Sequence, residues 1–196
     1  MGPLRREQIV RATVRCLARE GYTRLTMKKV AREGGVSQGI LHYYFADKRS
    51  MLAATLDAVT RDLDRRVVAA QSRTGRDARA RLRALVRACL DVAVSQPEVW
   101  VVFLEFWGEM RHDRRLRELN TAAYSRTRRL IARLVADGVR TGRFRPVDPG
   151  RAAAVVLGLV DGLSLQLTFD PDALSVAEAA RLGNDALGRY LAGEMR

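Results

Sequence analysis

The chain has 196 residues, 47% of them apolar, and its 35 Lys and Arg against 22 Asp and Glu leave a formal net charge of +13. Such a length suits one domain or two small ones, and the apolar fraction suffices for a buried core, so disordered and collagen-like classes are excluded. Cys16 and Cys89 sit in apolar periodic stretches without metal spacing, which predicts reduced core thiols in a cytoplasmic protein.

Apolar residues recur at spacings of three and four, with no strand-like alternation, so the predicted fold is all-α with about nine helices. The first helix is predicted from Arg5 to Glu20, with Ile9, Val10, Val14, Leu17 and Ala18 inward, Arg11, Arg15 and Arg19 on an outer stripe, and Gly21 as its stop. Thr26 caps a short second helix ending at Gly34-Gly35, and Ser37 caps a third ending near Tyr44. Asp47 caps a long fourth helix carrying Leu52, Thr55, Leu56, Val59, Leu63 and Val67, which fades between Gln71 and Asp77. A fifth holds Leu82, Leu85, Val86, Cys89 and Leu90, and Pro97 opens a sixth, with Gly108 and Asp113 at its end. The seventh runs to Gly142, the eighth from about Gly150 to Phe169, and the ninth from Ser175 to Gly193.

The N-terminus has no charged lead into an apolar run, which argues against secretion. The apolar stretch Ala152 to Phe169 is interrupted by Asp161, Ser164 and Gln166, so a buried helix is expected rather than a membrane span.

Residues 1–50 carry 11 basic and 4 acidic side chains, whereas residues 151–196 carry 4 basic and 6 acidic. A basic head suggests a polyanion partner at that end. Within it, Thr26 to Tyr44 meets the mechanical needs of a helix-turn-helix: small Ala31 where helices cross, Gly35 for a left-handed turn, Val36 to plug the turn, and Leu41 to anchor the second helix. That helix would lie in a DNA major groove, with Gln38, His42 and Tyr43 toward base edges. Lys48 would meet a phosphate at the start of the fourth helix.

The run Leu25-Thr26-Met27-Lys28-Lys29-Val30-Ala31, then Gly35 to Phe45 and Lys48, resembles the N-terminal DNA-binding domain of the TetR family of bacterial regulators. The resemblance implies a helix-turn-helix domain over residues 1–46 and a helical ligand-binding and dimerisation domain over 47–196. It implies a homodimer on a near-palindromic double-stranded DNA operator, usually as a repressor. Family-style DNA contacts fall on Thr26, Lys28, Gln38, Gly39, His42, Tyr43, Tyr44 and Lys48. His42 departs from the tyrosine common at its position.

The second half resembles the BetI-like branch of that family through Trp100 to Trp107, Gly142-Arg143-Phe144 and Asp161-Gly162-Leu163. Trp100, Phe103, Trp107 and Met110 give one helix an aromatic face, which serves a core as readily as a ligand box. With Glu105, and with Tyr124, Asp161 and Gln166 on other segments, they hold the ingredients of a cage for a cationic effector, each cation–π contact being worth about 0.5 to 2 kcal/mol. An apolar effector is the rival, and Glu105 has an arginine pair as its alternative. The apolar surface of the eighth helix (Val155, Val156, Leu159, Val160, Leu163) and of the ninth (Ala180, Leu187) exceeds one core, which predicts a four-helix dimer interface. Such a dimer would set two recognition helices about 34 to 36 Å apart.

Effector binding would tilt the fourth helix and change the spacing of the DNA-reading heads, given a coupling of about 1 to 3 kcal/mol. A sequence-indifferent architectural DNA protein is the rival function, against which stand the uncharged base readers Gln38, His42 and Tyr43. No nucleotide-binding glycine loop, metal-spaced cluster or nucleophile with a base partner occurs, so neither an enzyme, a cofactor nor a metal site is expected.

Overall fold

The computed structural model describes residues 2–192, which form nine α-helices and no strand. These are α1 (Gly2–Arg24), α2 (Met27–Glu33), α3 (Gln38–Tyr44), α4 (Lys48–Ser72), α5 (Ala78–Ser95), α6 (Pro97–Glu109), α7 (Arg114–Arg140), α8 (Pro149–Phe169) and α9 (Val176–Ala192). The predicted end of the last helix, Gly193, lies outside the described residues. Two compact units result, one formed by the chain up to Arg61 with Pro97–Ala123, the other by Asp62–Gln96 with the chain from Tyr124 onward.

In the first unit, capping sets the helix ends. The Thr26 hydroxyl accepts from Lys29 N at 3.3 Å and the Ser37 hydroxyl from Ile40 N at 3.2 Å, while Asp47 Oδ1 accepts from Ser50 N at 2.6 Å. Each satisfies an amide that the first turn leaves without a helical partner. Gly21, with φ 75° and ψ 168°, breaks α1 where its stop was expected, and a short helical stretch follows as far as Arg24. Packing buries Ile9, Leu17, Leu25, Leu41, Met51, Leu52 and Leu56 completely, together with Phe106 of α6 and Leu116 of α7.

Gly35 takes φ 59° in the α2–α3 turn, with open space around the position of a Cβ. The cost of alanine there is therefore conformational alone. Gly35→Ala is expected to lower stability by about 1 kcal/mol, read as a small fall in the thermal midpoint with an unchanged circular dichroism spectrum.

In the second unit α5 packs against α8 and α9. Leu82, Leu85, Val86, Cys89 and Leu90 are buried from α5, and Ala152, Ala153, Val156, Val160, Leu163 and Leu167 from α8. The last helix begins with a reciprocal capping box, Ser175 N donating to Glu178 Oε2 at 3.0 Å while Ser175 Oγ accepts from Glu178 N at 3.2 Å. Pro149, one residue before the expected start, opens α8 behind the Asp148 cap, a position where its missing N–H costs nothing. By length and composition α8 would suit a membrane, yet the residues just named turn one side of it inward.

Burial corrects the expected dimer surface. Val156, Val160 and Leu163 of α8 and Ala180 and Leu187 of α9 are at most 8% exposed within the single chain. They pack the core of the second unit and leave little area for a partner helix. Val155 stays 46% exposed and Leu159 partly so.

Candidate nucleic-acid interface and effector site

Helix α3 has two unlike sides. Leu41 is fully buried and Phe45, its C-cap residue, nearly so, while Gln38, Gly39, His42 and Tyr43 face solvent, Tyr43 at 83% exposure. A large aromatic ring left so exposed contributes nothing to the core. Tyr44 is half-buried, its ring edge-on to Tyr43 at a centroid separation of 5.1 Å. Ile40, absent from the expected contacts, is 40% exposed on the same short helix.

The basic residues near α3 divide into exposed and committed groups. Lys28 is exposed. Arg15 and Arg19 of the outer α1 stripe both reach Glu33 of α2, at 2.7 and 3.1 Å, and hold its carboxyl below the usual range. Lys29 pairs with Glu20. Lys48 donates to the carbonyl of Tyr22 at 2.7 Å and lies 4.8 Å from the centre of that ring. Its burial lowers the ammonium pKa from the ordinary lysine value.

Glu105 is engaged with the backbone of the first unit. Its Oε2 accepts from Tyr22 N at 2.7 Å, so an α6 carboxylate satisfies the amide that follows the break at Gly21. With Lys48 on the carbonyl of the same residue, Tyr22 is held from both sides of its backbone. Arg49, next in α4, reaches Asp113 at 2.8 Å, and Asp113 Oδ1 caps α7 through Arg115 N and Leu116 N.

The other expected effector residues separate into several environments. Trp100 and Phe103 are 4% and 7% exposed, with rings 5.7 Å apart, and serve the first unit's core. Trp107 and Met110 are half-exposed. In the second unit the Tyr124 hydroxyl donates to Asp161 Oδ2 at 2.8 Å. Burial raises the Asp161 pKa, opposed by the Tyr124 hydrogen bond, and Tyr124 itself is pushed up by burial and then by the carboxylate. Cys89 is pushed up to about 12 by burial and the negative charges of Asp161 and Asp64. Asp64 in turn accepts from Arg126 and Thr127, both at 3.3 Å. Gln166 is exposed, its amide 3.4 Å from the Gly162 carbonyl of its own helix.

Comparison with known proteins decides the family. Residues 9–55 match the model of the bacterial regulatory proteins of the TetR family, and residues 78–192 match the C-terminal model of BetI-type transcriptional repressors. The chain belongs to the TetR family and is a transcriptional regulator of the BetI type.

The HTH-type transcriptional regulators BetI of Paraburkholderia phymatum and Burkholderia mallei are each 34% identical to this regulator over 98% of its chain, and over 95% and 96% of theirs. Among solved structures, a transcriptional regulator from Saccharomonospora viridis in complex with choline has a TM-score of 0.85 at 30% identity, covering 96% of this chain and 98% of that one. A regulator from Pseudomonas aeruginosa shares the fold, with a TM-score of 0.86 at 24% identity over 95% and 89% of the two chains. These relatives are transcriptional regulators, and the family is not one of enzymes.

Several residues of this regulator's sites escaped the sequence reading. Tyr22 acts through its backbone, which leaves no side-chain signature. Its partner Glu105 is 83 residues away, so only the tertiary structure brings them together. Asp64 was an unremarked charge on a long helix, and nothing in local spacing points it at Thr127.

Proposed function

We propose that this regulator is a repressor that binds a near-palindromic operator as a homodimer in the bacterial cytoplasm and leaves it when a cationic small molecule of the choline class is bound. The observation that carries the effector class is the Asp161–Tyr124 pair: a half-buried carboxylate whose hydrogen bond comes from a hydroxyl. A partly desolvated carboxylate of this kind is stabilised by an incoming cation. Ser164, one turn further along α8, has a buried hydroxyl without a hydrogen-bond partner among the described atoms. The choline complex of the Saccharomonospora viridis protein supports the same class.

Sequence selection from a random DNA library, followed by affinity for the winner and for a scrambled duplex at one salt concentration, tests operator reading. A winner bound about a thousandfold more tightly is expected. Equal binding to both duplexes would favour the architectural role. Adding choline to the operator complex is expected to release the protein, and choline without effect would overturn the effector class.

Asp161→Asn should keep the Tyr124 hydrogen bond and the fold while abolishing the choline response. The pH dependence has a definite sign. Asp161 titrates above the ordinary carboxylate value, so choline affinity is full above that raised pKa and falls as the pH drops through it. The same shift penalises the folded state at neutral pH. Asp161→Asn is therefore expected to be no less stable than the parent in urea unfolding at pH 7.

For the dimer, we infer contact along the exposed stripe of α8 (Val155, Gly158, Leu159, Gly162, Phe169) with Leu182 of α9. Val155, Phe169 and Leu182 are 46%, 69% and 50% exposed, and a Cβ at Gly158 or Gly162 would meet nothing within 4 Å. Small residues between exposed apolar ones permit close approach of a second helix. Val155→Glu is expected to sediment as a folded monomer with weakened operator binding, and an unchanged sedimentation coefficient would move the interface elsewhere.

A further inference from the structure

A pocket of about 260 Å³ lies in the second unit, between the first turns of α5, the turn after α7 and the end of α9. Its lining shares no residue with the Asp161–Tyr124 site. Leu82, Phe144, Leu187 and Leu191 supply apolar walls, each at most 6% exposed, while Arg79 and Arg83 of α5 and Asn184 of α9 supply the polar groups. Among the described residues, no carboxylate lines it.

The frame is tied together from three sides. Arg145 donates from its backbone N to the carbonyl of Leu191 and from its side chain to that of Tyr190, both at 2.8 Å, which caps the end of α9 and joins it to the turn. Arg79 Nε donates to the carbonyl of Arg143 at 3.1 Å, joining α5 to the same turn. The Phe144 ring lies against the backbone of Gly138. Gly188, also in the lining, has open space where a Cβ would stand.

We infer that this pocket binds a small amphipathic carboxylate, its charged head between the guanidinium groups of Arg79 and Arg83 and its apolar body on Leu82, Phe144, Leu187 and Leu191. Two fixed-charge donors select an anion, with no competing carboxylate among the described lining residues, because guanidinium–carboxylate hydrogen bonds are charge-assisted and planar. The apolar walls select against inorganic anions. Volume limits the body: a space of about 260 Å³ suits a short acid, such as a six-carbon one, better than a long acyl chain. Bound there, the acid joins α5 to α9, so occupancy stabilises the second unit by mass action.

The test uses the full chain with methyl-labelled leucine, titrated with hexanoate and with its neutral isostere hexanamide. Hexanoate is expected to give saturable shifts at Leu82, Leu187 and Leu191 and to raise the thermal midpoint, while hexanamide binds about tenfold or more weakly. Gly188→Leu, which fills the open space without a backbone clash, should abolish the shifts while the protein stays folded. Arg83→Gln should weaken hexanoate by about tenfold and leave any hexanamide binding unchanged. Absence of saturable shifts, equal binding of acid and amide, or retained binding in folded Gly188→Leu would each overturn the assignment.

Discussion

Replacing Gly138 by alanine is expected to destabilise the protein by about 3 kcal/mol, the scale of losing a buried phenylalanine. A Cβ at this position would overlap Cδ2 and Cε2 of Phe144 and stand 2.8 Å from its Cγ. Those atoms belong to a ring only 6% exposed, not to the end of a flexible chain. Nor does the turn have room to retreat, because Arg143 N and Phe144 N both donate to the Gly138 carbonyl, at 2.8 and 3.0 Å. The methyl group must therefore expel the ring. Urea unfolding of Gly138→Ala should show a lower midpoint, and the comparison in a Phe144→Ala background decides the cause. There the alanine at 138 should cost almost nothing further, since contacting residues are non-additive. Equal cost in both backgrounds would place the damage in the α7 backbone instead.

Loss of operator binding in Gln38→Ala and Tyr43→Ala is the second large effect. Both side chains are exposed on α3 and neither contributes to the core. Each substitution is expected to lower affinity for the selected operator by about 1 to 3 kcal/mol, with unfolding curves unchanged. Leu41→Ala is the contrasting variant. That residue is completely buried, so the same loss of binding should come with about 2 to 5 kcal/mol of destabilisation. Unaltered operator affinity in Tyr43→Ala at parental stability would remove Tyr43 from the interface.

The basic residues show how far pattern alone carries. The arginine stripe of α1 was legible from its spacing, but two of its members are engaged with Glu33 of α2. Lys48 was legible as a cation at the start of a helix, whereas its place on the Tyr22 carbonyl was not. Charge counts measure what a segment carries, and ion pairing within the fold decides how much of it meets a partner. The effector residues divide in the same way. Aromatic spacing on α6 marks a buried face without saying what covers it, and Trp100 and Phe103 are spent on the core. Tyr124 and Asp161, 37 residues apart on different helices, form a hydrogen-bonded pair.

What the sequence by itself determined is local. Thr26, Ser37 and Asp47 cap the helices they precede, and Gly35 takes the left-handed turn, because hydroxyls, carboxylates and a missing Cβ act within three or four residues. The helix-turn-helix and the family followed from those same short-range signals. Only the tertiary structure decided which apolar residues remain exposed. Helix α8 is apolar on most of its circumference, so periodicity offers no polar face by which to orient it. Packing against α5 and α9 made that choice, burying Val156, Val160 and Leu163 and leaving Val155 and Phe169 in solvent.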